Sequence, residues 1–183
     1  MPMFEAYAGR PIEQRLGRLQ QTPTELEQAM AGKDDVELGR RPEARSWSAK
    51  EIVCHLRDVE ELFQLRFHTV VAIDEPQILV LGASPGDLSA WRIGGLIGHP
   101  LDPDRWAEER QYRRNDTGEA LTAFRRRRGE VLTLLRSLSP EDWQRGGVHL
   151  SRGRLTLADW VASLAAHDDN HLDQLRRALD GRP

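Results

Sequence analysis

His167-Asp168-Asp169-Asn170-His171 lies in the last apolar-periodic stretch of the 183-residue chain and sets two histidines four residues apart. On a helix that spacing puts both imidazoles on one face, where they can close on a single metal ion. A third histidine, His55, occupies the same kind of apolar surrounding much earlier in the chain. On a wheel advancing about 100° per residue, His55 falls within the arc of Ile52, Leu56, Val59 and Leu62. His167 and His171 fall at the edge of the arc of Leu157, Trp160, Leu164 and Leu175. One inward histidine is ordinarily a core residue satisfied by a hydrogen bond. Three are costly to bury unless each finds a partner, and one divalent ion would serve all three. Three neutral imidazoles leave a coordination position open, as in a catalytic rather than a closed structural zinc site. Water there becomes acidic enough to act as a nucleophile near neutral pH, or a thiolate takes its place. Zinc is the first expectation, and nickel and iron also suit imidazole. The glutamate of His-Glu-x-x-His is missing, so a zincin protease is disfavoured.

The residues around these histidines leave several roles open. Asp168 follows His167 near the centre of the apolar arc. Its carboxylate either orients an imidazole or serves as a general base, or it is half of a salt bridge. Arg128, among Phe124, Leu132 and Leu135, is the candidate partner for Asp168, or a ligand for an anionic substrate group. Asp58 and Glu51 stand one turn to either side of His55, and either could orient its ring. Cys54 points away from the His55 face. Arg125, Arg126 and Arg127 read as a solvated face, His149 as a loop anchor, and His68 and His99 follow no usable pattern. Trp91, Trp106 and Tyr112 would either cover the metal pocket or brace a long connection against the rest.

Four helices must position these groups. Ile12, Leu16, Leu19, Leu26 and Met30 keep one stripe through a first helix that Pro23 bends or restarts, since Thr22-Pro23-Thr24-Glu25 resembles a helix start. The second helix starts at the capping box Ser48-Ala49-Lys50-Glu51, with Trp47 able to pack on Ile52, and ends at Asp74-Glu75-Pro76. Residues from about 76 to 116 carry four prolines and no sustained period, so they form a long crossover connection, with a short helix near Pro103–Glu109. A third helix spans roughly Thr117–Leu138, and Ser139–Trp143 forms a single turn. Gly146–Arg154 is a loop or small hairpin. The fourth helix opens on Thr156-Leu157-Ala158-Asp159 and stops at Gly181. With no convincing strand pattern, the fold class is all-α, a four-helix bundle in one domain over residues 1–183. His55 and His171 lie at matching depths only if the second and fourth helices are antiparallel neighbours. The long connection then lets the third helix run parallel to the second.

Composition narrows the partners. A formal charge of -3 argues against nucleic acid. No long apolar run or signal-peptide pattern appears, so the expectation is a cytoplasmic protein without a membrane partner. A single cysteine agrees with a reducing compartment.

The segments Trp47-Ser48-Ala49-Lys50-Glu51-Ile52-Val53-Cys54-His55-Leu56-Arg57-Asp58 and Leu155 through Leu172 together resemble the DinB/YfiT-like superfamily of metal-binding four-helix bundles. Leu101-Asp102-Pro103-Asp104-Arg105-Trp106 and Leu138-Ser139-Pro140-Glu141-Asp142-Trp143 are also similar, and the likeness spans roughly residues 11–180. The resemblance implies parallel middle helices, one divalent ion on His55, His167 and His171, and a homodimer. It also implies a small-molecule substrate handled by a metal-dependent hydrolase, or by a thiol S-transferase or thiol-dependent isomerase using bacillithiol, mycothiol or glutathione. Two other classes remain open: a non-catalytic metal-binding stress protein whose ion ties the second helix to the fourth, and a metal-free bundle acting through dimerisation.

Overall fold

The structure, a computed structural model, describes residues 3–78, 102–149 and 152–183. The chain runs α1 (Met3–Ala8), α2 (Ile12–Met30), α3 (Asp35–Leu38), α4 (Ala49–Ala72), β1 (Gln77–Ile78), α5 (Pro103–Glu109), α6 (Thr117–Arg136), β2 (Gly146–His149), β3 (Gly153–Thr156) and α7 (Leu157–Leu179). Short 3-10 turns occupy Tyr112–Arg114 and Asp142–Gln144. Two of the long helices begin where side chains satisfy the free N–H groups of a first turn. Ser48 Oγ accepts from Glu51 N–H at 3.3 Å while Glu51 Oε2 accepts from Ser48 N–H at 3.0 Å. Thr156 and Asp159 make the same reciprocal pair at 3.1 and 2.9 Å.

Pro23 does not restart a helix, because α2 is continuous through it. A proline there cannot donate to the carbonyl of Leu19, which leaves a buried acceptor open. Arg128 Nη1 fills it from α6 at 2.8 Å. Thr22, expected as a possible cap, instead sends its hydroxyl to Asp168 on α7. The apparent break is therefore a polar socket in the bundle wall.

Cross-bundle pairs establish the helix directions. Along α4 from His55 to Phe63, the partners on α7 retreat from His167 and His171 to Trp160, so these neighbours are antiparallel. Gln64 reaches Glu130 and Arg127 reaches the Arg57 carbonyl, so α4 and α6 run parallel. Arg125 pairs with Glu27 and Arg136 with Gln20, so α2 and α6 run antiparallel. Arg15 reaches Ala158 and Arg18 reaches Asp169, so α2 and α7 run parallel. The bundle is all-α with a crossover between its second and third long helices, as its sequence predicts. Two apolar clusters fill it. One centres on Leu16, Phe67, Val131, Trp160 and Val161, the other on Leu26, Ile52, Phe124 and Leu175.

A small sheet caps one end: its β2–β3 hairpin falls where a loop or small hairpin is expected, and β1 is the addition. β1 pairs parallel with β2, and β2 pairs antiparallel with β3. Its close approach requires glycine at 147, where an added Cβ would lie 2.6 Å from the Ile78 side chain. A two-residue strand such as β1 carries too few side chains for alternation to register. α1 was equally unmarked, yet it buries Tyr7 against the bundle. Trp91 and His99 lie outside the described residues. Among the described residues, no helix is long and apolar enough to cross a membrane.

Candidate metal centre

His55 sits on the second turn of α4, and its depth is set by the Ser48 cap. His167 and His171 sit one turn apart on α7. The helices bring one ring nitrogen from each histidine within 4.8 Å of the others. Ring centroids lie 4.3, 4.6 and 5.4 Å apart, and His55 Nε2 faces His167 Nε2 at 3.3 Å. Two imidazoles on a tetrahedral zinc with bonds near 2.05 Å would stand about 3.3 Å apart, so this pair already has that spacing.

Protonation favours the same use. His171 Nδ1 meets Gln174 Oε1 at 2.8 Å. An amide oxygen only accepts, so that nitrogen carries the hydrogen and the Nε2 lone pair is left free. Burial holds the pKa of His55 well below the usual imidazole value, and the neighbouring His171 lowers it further. Burial acts first on His167 as well, followed by His171, His55, Arg128 and Arg66. His171 is lowered by burial against the opposing pull of Gln174 and Asp168. Neutral imidazoles offer lone pairs, as a metal requires. The Nδ1 atoms of His55 and His167 are buried with no hydrogen-bond partner among the described residues. The nitrogens that face one another are the Nε2 atoms, and neutral lone pairs converging in this way fit a cation.

The carboxylates expected beside the histidines are committed elsewhere. Asp58 accepts from Tyr112 Oη at 2.8 Å and Arg57 Nε at 2.8 Å, and pairs with Arg110. Glu51 takes Arg41 and its own cap. Neither orients the His55 ring. That ring packs instead on Trp47, with centroids 4.8 Å apart. Asp168 is fully buried, and both its oxygens accept from Arg128, at 2.5 and 3.1 Å, while Thr22 adds a third bond. Its placement is that of a salt bridge rather than of a base facing the imidazoles.

Arg128 also clamps Glu60 through Nε and Nη2 at 2.8 and 2.7 Å, and its Nη1 serves the Leu19 carbonyl. All five of its N–H groups are used, so none remains for a substrate anion. Cys54 is buried, its thiol pushed up to about 11 by burial, and its Sγ lies 3.9 Å from the Tyr112 carbonyl. Trp106 and His68 border a separate surface groove with Leu62 and Leu65, and Tyr112 is buried against Asp58. Neither Trp106 nor Tyr112 covers the histidines. His149 packs against Trp160 at 5.7 Å, at the sheet end.

Sequence reasoning missed Gln174, Glu60 and the use of Trp47 as a wall. Gln174 stands three residues after His171, a helical neighbour spacing that could have found it. Glu60 has a weaker signal, as an acid beside Val59 in the acidic run Asp58-Val59-Glu60-Glu61. Trp47 had been marked only as a packing residue for Ile52.

The pattern that defines the DinB superfamily matches residues 18–175, which include all three histidines. The chain belongs to the DinB superfamily. It is 22% identical over 155 residues to YfiT of Bacillus subtilis, a probable metal-dependent hydrolase, covering 84% of this chain and 76% of the relative. The solved structure of YfiT, described as a four-helix bundle of unusual topology, superposes with a TM-score of 0.74 at 20% identity. That match covers 91% of this chain and 84% of YfiT. At that identity the superposition shows a shared fold.

Proposed function

We propose that this DinB-superfamily protein is a metal-dependent enzyme acting on a small molecule, with His55, His167 and His171 holding one divalent ion. The observation that carries the reading is the convergence of three neutral imidazoles, with the Nε2 atoms of His55 and His167 3.3 Å apart, beside an open cleft in whose wall His171 lies. Zinc is the first candidate, and nickel and iron also suit such ligands. An ion there would supply Lewis acidity for activating water or a small thiol. The protein's part is to keep the rings neutral by burial, to fix the His171 tautomer through Gln174, and to keep carboxylates out of the ligand set by pairing Asp168 and Glu60 with Arg128.

Hydrolysis is the leading reaction, supported by what YfiT is said to be. The alternative of an ion that merely ties α4 to α7 is disfavoured, because those helices already pack through Phe63 and Trp160 and the cleft beside His171 is open. Tag-free protein analysed for metal should carry one equivalent that His55→Ala, His167→Ala and His171→Ala each lose. Metal-loaded protein should then hydrolyse members of an ester and amide panel. Conjugation of monochlorobimane only when a low-molecular-weight thiol is added would replace hydrolysis by thiol transfer. Retention of the metal by all three variants would overturn the site.

A further inference from the structure

The cleft beside His171 has a volume of about 430 Å³ and is walled by three arginines, Arg45, Arg177 and Arg182, against one acidic side chain, Asp104. We propose that it binds the anionic group, carboxylate or phosphate, of a small substrate whose reacting end meets the ion on the three histidines. The inference rests on the metal reading above and adds the charge of the substrate to it.

The three arginines are not equivalent. Arg177 is tied to Asp173 at 3.0 Å and to the Pro183 oxygen at 2.7 Å, and Arg182 to Asp180 at 2.9 Å. Those contacts hold two guanidinium groups in the wall and offset part of their charge. Arg45 is exposed and has no hydrogen-bond or ion-pair partner among the described residues. Its presentation is nevertheless built. Arg41 grips both oxygens of Glu51 at the start of α4 and donates to the Ala44 carbonyl at 2.9 Å, and Ser46 N–H closes on Glu43 at 3.1 Å. The loop that carries Arg45 is therefore strapped to the helix that carries His55. Its last residue, Trp47, lies nearly parallel to the His171 ring, 15° between planes and 6.4 Å between centroids, and forms a flat apolar wall. A free guanidinium offers paired N–H groups that match the geometry of an oxyanion. The cleft so joins an open metal position, an aromatic plate and an uncommitted anion receptor.

Cobalt(II)-loaded protein tests this without any enzymatic assay, because a thiolate binding cobalt gives a charge-transfer absorption. Four probes of similar length differ in tail charge: 3-mercaptopropionate, 2-mercaptoethyl phosphate, 2-mercaptoethanol and cysteamine. The two anionic thiols should bind at least tenfold more tightly than the neutral one, and cysteamine more weakly still. The stronger of the two anionic probes separates a carboxylate from a phosphate substrate. Arg45→Glu should weaken the anionic probes at least tenfold and leave 2-mercaptoethanol within about twofold. Arg45→Ala, at an exposed position without a partner, should show a smaller loss of the same sign. Cobalt bands in the wild type with affinities indifferent to tail charge, or an Arg45→Glu effect equal for all four probes, would overturn the anion site alone. No ligand-field bands at all would sink the metal reading and this inference with it.

Discussion

Two polar clusters lie inside this bundle within a turn of each other on α7, and they are satisfied in opposite ways. Around Asp168, every N–H of Arg128 and both carboxylates of Asp168 and Glu60 are hydrogen-bonded within the protein. Around His167, three imidazoles turn ring nitrogens toward one another. Neutral imidazoles gathered this closely present lone pairs that one divalent cation can share, which the saturated cluster cannot do. The saturated cluster secures the register of α2, α4, α6 and α7, and the unsaturated one uses that register. Their neighbourhood is functional as well as structural, since the ionic cluster occupies the carboxylates that would otherwise compete for an ion.

The strongest way to break this contrast is to unbalance the ionic cluster. Arg128→Met leaves Glu60 and Asp168 buried without their shared cation, and should cost about 3–5 kcal/mol of unfolding free energy. The urea midpoint or the melting temperature would report it. Burial already pushes the Glu60 pKa up against the pull of Arg128, so its charged form is not favourably placed. Glu60→Gln should therefore cost clearly less than Arg128→Met. Replacing all three residues with apolar ones of similar volume should recover most of the loss. A triple variant that stays as unstable as Arg128→Met would mean the cluster does more than satisfy itself.

The histidine cluster should respond to metal where the ionic cluster does not. Zinc at a hundredfold excess over its dissociation constant should add about 2.7 kcal/mol to the wild type, read as a rise in melting temperature. His55→Gln should show no such rise, while its metal-free stability stays within about 1 kcal/mol of the wild type. If His55→Gln destabilised the metal-free protein as severely as Arg128→Met, the two clusters would not differ in kind. A finer change follows from Gln174, whose carbonyl fixes the His171 tautomer. Gln174→Ala should weaken zinc about 10- to 100-fold, measured by competition with a chromophoric chelator, and leave the metal-free melting temperature nearly unchanged.

Much of this was legible in the chain before folding. The caps at Ser48 and Thr156 and the three inward histidines follow from spacing, because helical periodicity is a local rule, whereas the antiparallel run of their helices is a condition of the shared site that the fold meets. Arg128 and Asp168 could be named as a pair, but the choice between salt bridge and base depended on Glu60 and on the Leu19 carbonyl that Pro23 leaves open. Those are three-dimensional facts with no short-range signature. The cleft is less legible still, since Arg45, Trp47 and Arg177 come from a loop and a far helix whose meeting depends on Arg41 holding the loop down.

The smallest expected effect concerns the same side chain in a third setting. His149 is an imidazole outside the histidine cluster, packed against Trp160 at the end of the sheet, and burial with help from Arg152 and Arg66 lowers its pKa to about 4. In the unfolded chain a histidine titrates near 6.5. Between those values the unfolded state holds the proton and the folded state does not, so acidification through this window destabilises the fold and the loss levels off near pH 4. His149→Gln removes that contribution. Its stability should match the wild type above about pH 7 and exceed it increasingly below. The ring is only half-buried, so solvent screening should hold the gain to about 1 kcal/mol or less. Denaturant melts of both proteins at pH 7.5, 6 and 4.5, without added metal, would read it. A gain as large at pH 7.5 as at pH 4.5 would mean that the ring is poorly packed rather than held neutral. Burial alone would then not explain neutral imidazoles in this fold, and the argument for the histidine cluster would lose its simplest control.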